Sequence, residues 1–161
     1  MSTPAPTGLT PNDIILANRA ADNFTRLYYE AYDSATRTND LPLFYRPSSS
    51  LTWNGNPTQG ADGVKELIQA MPKTQHKVQS FDCHPIPGAQ PPSLLVSVSG
   101  SVLHGKGFEG NPRGTRKDCL DGMSRVFSQT FLLVPDSAAA ASGSSEAIKY
   151  YISADCVRFV G

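Results

Sequence analysis

An excess of charge of either sign is missing from this chain: 14 Lys and Arg against 14 Asp and Glu leave a formal net charge of zero over 161 residues. That balance exerts no global pull on nucleic acid or anionic membrane, so electrostatic binding has to come from a local patch. Long hydrophobic runs are also missing, with nothing near the roughly 20 apolar residues that span a bilayer. The segment Met1 to Thr10 has neither the basic start nor the apolar stretch of an export signal. Cysteine is sparse and scattered, at positions 83, 119 and 156, without the spacing of zinc ligands. The expectation is reduced thiols, with Cys83 and Cys156 as small buried hydrophobes, and neither metal nor cofactor. Tryptophan occurs once, at Trp53.

What is present begins at that tryptophan. Leu51-Thr52-Trp53 reads as a short β-type run, and Asn54-Gly55 follows at once. A type I′ hairpin turn needs positive φ at both central residues, which Asn and Gly tolerate best. A helical pattern from Ala61 to Met71, with Val64, Leu67, Ile68 and Met71 on one side, follows and stops at Pro72. Upstream, Thr10-Pro11-Asn12-Asp13 combines a cap, a proline suited to the first helical position and an early acid. Ile14, Ala17, Ala21, Phe24, Tyr28 and Ala31, widened by Leu27 and Tyr32, predict a long amphipathic helix to about Asp33. Asp40 to Tyr45 suits one more helical turn before Pro47.

Downstream the chain is β-rich, with runs at His76 to His84, Leu94 to Leu103, Val126 to Val134 and Ile148 to Val160. Residues 104–125 and 135–147 are long connections. Helices followed by strands predict an α+β domain over residues 10–161, preceded by a disordered segment, 1–9. Alternation along the strands separates two faces. Val96, Val98, Val102, Phe127, Gln129, Phe131, Asp155, Val157 and Phe159 form a bulky, mostly apolar one. Leu95, Ser97, Ser99, Ser101, Leu103, Ser128, Thr130, Leu132, Ile152, Ala154, Cys156 and Arg158 form the other. A solvated face would normally carry Lys and Glu; this small, mixed surface suits coverage by another protein as well as a Ser/Thr-rich solvent face.

A set of segments in fixed order now resembles the nuclear transport factor two-like family. They are Ala20-Ala21-Asp22-Asn23-Phe24 through Tyr28-Tyr29, Leu51 to Asn56, Met71-Pro72, Phe81 to Pro85, Ser99 to Val102, Phe127 to Phe131, and Ser153 to Phe159. The narrower resemblance is to the branch that supplies the small subunit of the heterodimeric nuclear mRNA export receptor. It implies a cone-shaped α+β fold, a bent antiparallel sheet wrapped around helices. It also implies that the outer sheet face pairs with a similar domain in the receptor's large subunit, through Ser97, Ser99, Ser101, Ser128, Thr130, Leu132, Cys156 and Arg158. Arg158 stands where the family's arginine meets an acid of the large subunit; an intrachain pair with Asp155 or Asp82 is the alternative. The complex would shuttle between nucleus and cytoplasm, contacting Phe-Gly-repeat nucleoporins, with no role at a membrane.

Two other readings stay open. The family's homodimeric carrier of GDP-bound Ran has an acid directly after the tryptophan, where this chain has Asn54. It also has an acidic loop where this chain has His104-Gly105-Lys106-Gly107 and then Arg113, Arg116, Lys117 and Arg125. Those five basic residues could instead meet an RNA backbone. The same cone also houses isomerases and dehydratases, for which Tyr28, Tyr32, Asp33, Asp82 and His84 are the candidate groups.

Overall fold

The computed structural model describes residues 8–105, 124–136 and 149–160. Cys119 and four of the basic residues, Lys106, Arg113, Arg116 and Lys117, lie outside them. Helix α1 spans Pro11–Asp33 and opens as its sequence predicts. The Thr10 hydroxyl accepts from the Asp13 N–H, and the Asp13 carboxylate accepts from the Thr10 N–H, so two orphan donors are satisfied reciprocally. The buried stripe is Ala17, Ala21, Phe24, Thr25, Tyr28, Tyr29 and Tyr32. Ile14 and Leu27, expected within it, are exposed. The stripe is turned toward Thr25 and Tyr29 because those residues meet the sheet, a choice that periodicity alone does not make.

After α2 (Arg37–Asp40) and a 3-10 turn (Leu41–Phe44) come β1 (Tyr45–Trp53), β2 (Asn56–Gln59) and α3 (Gly60–Gln69). Asn54 and Gly55 join β1 to β2 with φ of 47° and 85°, the positive pair that the turn requires. Four long strands follow: β3 (Thr74–Ile86), β4 (Ser93–His104), β5 (Ser124–Pro135) and β6 (Tyr150–Val160). The six-stranded sheet runs β2-β1-β6-β5-β4-β3. The antiparallel expectation holds for every pairing except β1 with β6, which is parallel. β1 also starts earlier than its β-type residues suggest and passes through Pro47. Its register against β6 jumps between Tyr45 and Ser50, and a proline is tolerated where the ladder is interrupted.

The helices cover the concave face of this mixed, curled sheet. Phe24 and Tyr28 of α1 meet Phe131 edge-on at 5.2 and 4.8 Å between ring centroids. Fully burying a side chain of this size contributes about 1.5–3 kcal/mol. Leu94, Val96, Val98, Val102, Phe127, Leu133 and Ile152 complete the floor. Ile152 corrects the expected alternation, which put it outside with Ala154. The β5–β6 register shifts between Leu132 and Leu133, so Leu132 pairs with Ala154 while Leu133 pairs with Ile152. Ser153 is the extra residue, and Ile152 and Asp155 both turn inward. The Ser49 hydroxyl donates to the Ile152 carbonyl and so ties β1 to the same irregularity.

Candidate partner-binding face

The convex face is ordered by the register of its strands. Asp82, Ser97, Thr130, Cys156 and Thr52 are successive Cα partners across β3, β4, β5, β6 and β1. The next row holds Ser80, Ser99, Ser128 and Arg158, and the one beyond it Lys77, Ser101, Val126 and Val160. On the opposite side lie His84, Leu95, Leu132 and Ala154. All eight residues expected at an interface therefore share one surface. Ser97, Ser128, Cys156 and Arg158 are exposed on it, and Ser99, Ser101, Thr130 and Leu132 half-buried. Cys156 thus corrects its expected burial: alternation after the bulge sends it outward. Cys83 is half-buried, its thiol 3.6 Å from the Ala17 carbonyl and pushed up to about 11 by burial.

The charge distribution on this face is more informative than its composition. Its centre, β4 and β5, carries Ser, Thr, Leu and Val. The charged and titratable side chains flank these two strands: Lys77, Asp82 and His84 on the edge strand β3 to one side, Arg158 on β6 to the other. An uncharged, partly apolar centre with a charged rim is the anatomy of a protein interface. Val126 and Val160, each 51% exposed, adjoin it. Arg158 has no hydrogen-bond or ion-pair partner among the described residues. Neither intrachain acid serves it: Asp155 points into the core, and Asp82 is three strands away, about 14 Å across the sheet.

The concave face holds a polar cluster that sequence reasoning missed. Asp155 is 4% exposed. Its carboxylate accepts from the Tyr45 hydroxyl at 2.6 Å and from Gln129 Nε2 at 2.9 Å. The Tyr28 hydroxyl lies 2.9 Å from that of Tyr45, and Tyr29 donates to Gln129 Oε1 at 2.7 Å. Burial raises the Asp155 carboxyl to about 6 against these hydrogen bonds, which lower it. Burial likewise holds the phenols of Tyr28, Tyr29 and Tyr45 well above their ordinary range, so they remain donors. The available signal was an Asp at an inward position diagonal to an inward Gln on the neighbouring strand, since Asp155 pairs with Phe131 and Gln129 with Val157.

The candidates named for an enzyme do not converge. The Tyr32 hydroxyl lies 3.2 Å from the Met71 sulfur. The Asp33 carboxylate accepts from the Thr74 hydroxyl and the His76 N–H, and lies 2.7 Å from His76 Nδ1, so it ties α1 to β3. Asp82 and His84 share a face as predicted, but it is the outer one; only Tyr28 joins the buried acid. The cavity beside the cluster, lined by Tyr28, Trp53, His76, His104, Gln129 and Phe159 among others, measures about 20 Å³, room for a single water. Burial pushes His104 at this cavity down to about 4, leaving its ring neutral near pH 7.

The nuclear transport factor 2 domain model matches residues 20–159. The chain belongs to the nuclear transport factor 2 family. It is 32% identical over 146 residues to NTF2-related export protein 1 of Bos taurus, covering 89% of this chain and 88% of that protein. It is 34% identical over 122 residues to nuclear transport factor 2 of Saccharomyces cerevisiae, covering 74% and 82%. Among solved structures, a chain of the Chaetomium thermophilum Mex67 NTF2-like domain complexed with Mtr2 superposes with a TM-score of 0.63 at 21% identity, covering 89% of this chain and 98% of that one. The family assignment accounts for the curled sheet and its helical lining. The hairpin at Trp53 also has a structural use: Asn54 Oδ1 accepts from the Phe159 N–H at 2.8 Å, and the Asn54 N–H donates to the Val157 carbonyl at 2.9 Å. Asn54 therefore clamps the end of the strand that carries Arg158.

Proposed function

We propose that this chain is the non-catalytic small subunit of a heterodimeric nuclear mRNA export receptor, binding the NTF2-like domain of the large subunit through its convex sheet face. The observation that carries this reading is the exposed face of β4, β5 and β6, uncharged at its centre, with Arg158 unpaired among the described residues. Ser97, Ser99, Ser101, Ser128, Thr130, Leu132 and Cys156 share the face with that arginine, and an acid of the partner meets it. The similarity to NTF2-related export proteins supports the same assignment, as does the solved pairing of an NTF2-like domain of Mex67 with Mtr2. The complex carries messenger ribonucleoprotein through the pore by weak contacts with Phe-Gly-repeat nucleoporins, shuttling between nucleus and cytoplasm.

Co-expression with the large subunit followed by size-exclusion chromatography tests the pairing; a stable homodimer that ignores the large subunit sinks it. Arg158→Glu is expected to weaken the heterodimer by about 30-fold or more, because it leaves two acids facing each other. The isolated subunit should stay folded, since Arg158 is exposed and holds no described group in place.

Ran carriage and enzymatic turnover are weaker readings. Asn54 supplies no charge for a basic partner, and the cavity beside Asp155 has room for about one water and no substrate. RNA contact belongs to the connection 104–125. Reversing Lys106, Arg113, Arg116 and Lys117 together is expected to weaken RNA binding by the assembled heterodimer and to flatten its salt dependence. Unchanged affinity removes that contact. Arg125 stands apart from those four, 5.6 Å from the Phe159 ring centroid and so engaged in a cation–π contact.

A further inference from the structure

Arg158 has a counterpart on the same face that the partner reading leaves unused. Asp82 is exposed on β3, the edge strand three strands from β6, and has no described hydrogen-bond or ion-pair partner. We propose that Asp82 is a second charged anchor of the interface, met by an Arg or Lys of the partner's sheet, and that Asp82 and Arg158 together decide which way round the partner docks. The inference rests on the convex face being the partner surface.

The centre of the face cannot fix orientation by itself. Rows of Ser, Thr, Val and Leu look much alike to an incoming sheet, whether it lies one way or is turned by half a revolution about the normal. Aligned packing of two sheets constrains the angle between strands and not which end of the partner faces which margin. Charge breaks the tie. Arg158 and Asp82 are separated by three strands and one row, about 15 Å. A partner with an acid over Arg158 and a cation over Asp82 gains both pairs in one orientation. Turned by half a revolution it sets cation against cation and acid against acid, and like-charge juxtaposition is strongly disfavoured. The neighbouring charges do not blur this code. His84 is the next outward residue beyond Asp82 along β3, and Lys77 stands at the far end of the same strand, past the bulge between Val78 and Ser80.

The test uses the full chain and the NTF2-like domain of the large subunit, with affinity and association rate measured at low and high salt. Asp82→Lys is expected to weaken binding about tenfold and slow association, with a loss that shrinks as salt rises. Asp82→Ala should cost less, because it removes an attraction without adding a repulsion. Reversing one cation of the partner to Glu should restore binding to Asp82→Lys and to no other variant. Asp82 is exposed, so these variants keep the fold, which an unchanged thermal midpoint verifies. Equal affinity for the wild type and Asp82→Lys, with Arg158→Glu still weakened, overturns the anchor and leaves the partner reading standing. If the wild-type chain does not bind the large subunit at all, or pairs only with a second copy of itself, the partner reading fails first.

Discussion

Asp155→Asn is expected to stabilise the protein at pH 8 and to leave it nearly unchanged at pH 4. The Asp155 carboxyl sits in the core with its folded value raised from 3.8 to about 6, burial outweighing the hydrogen bonds from Tyr45, Gln129 and Tyr28. A value raised on folding means that the native state favours the protonated acid. The contribution of the neutral group is fully present below about 3.8 and is lost as pH rises through about 6. Above that range the fold carries an ionised carboxylate with no described Lys, Arg or His bonded to it. Keeping the carboxylate charged in the core at pH 8 then costs the fold about 3 kcal/mol. Asparagine keeps an acceptor for Tyr45 and does not ionise, so thermal melting at pH 8 should rise by roughly 5–10 °C. The gain should fade between pH 6 and pH 4. A loss of stability of equal size at both pH values would mean that the surrounding donors, and not burial, dominate the site.

Gly100→Ala is expected to destabilise the fold by about 3 kcal/mol or more, a large penalty for one methyl group. A Cβ at this position would lie 2.2 Å from the Lys77 carbonyl oxygen and 3.1 Å from the Val78 Cα. Those atoms are backbone, so no rotamer change relieves the clash and β3 must move away from β4. Gly100 faces Val78 at the bulge of β3, where the strands approach too closely for any side chain. The expected result is a large drop in the denaturant midpoint with an unchanged m-value, while Ser97→Ala further along β4 shifts it little. Because β3 carries Asp82, a variant that survives should also bind its partner less well.

Much of the fold was legible because local chemistry and tertiary context agree. The Thr10 cap and the Asn54-Gly55 turn each depend on residues within a few positions of each other, whereas α3 ends at Gln69, short of the expected stop at Pro72. The alternation Val96, Val98, Phe127, Phe131 put the inner face where it is, since one side of a helix-covered sheet must be apolar. The eight expected interface residues fell on one surface for the same reason. The reading failed where a single irregular residue resets the pattern. Ser153 bulges from β6, so Ile152 turns inward although strict alternation puts it outside. Nothing local announces such a bulge, because it is defined by the strand opposite. The parallel pairing of β1 with β6 is similarly invisible: the two strands are about a hundred residues apart, and only the closed sheet brings Leu51 beside Asp155.

The candidate sites divide in the same way. Arg158 and its serine-rich surroundings could be named from sequence because their residue types and alternate spacing are intrinsic to the strands. Residue type alone makes Asp82 and His84 candidates for an enzyme site, and the structure turns them outward, since the inward positions of β3 belong to Phe81 and Cys83, which pack against the core. Asp155 was read as one inward position among several, or as a partner for Arg158. Its two phenols and one amide, with the third phenol that holds the amide, come from α1, β1 and β5, elements that meet only when the sheet curls over the helix.

By itself the sequence determined the family, the helical and β-type segments, the turn at Asn54-Gly55 and the uncharged character of the outer face. These follow from residue type, spacing and short-range stereochemistry, which a linear chain already contains. Only the tertiary structure decided which residues oppose one another across the sheet, that Asp155 is a buried acid, and that Asp82 and Arg158 stand unpaired among the described residues, three strands apart on one surface. Register, burial and charge separation are relations between distant segments, and they exist only once the chain has folded back on itself.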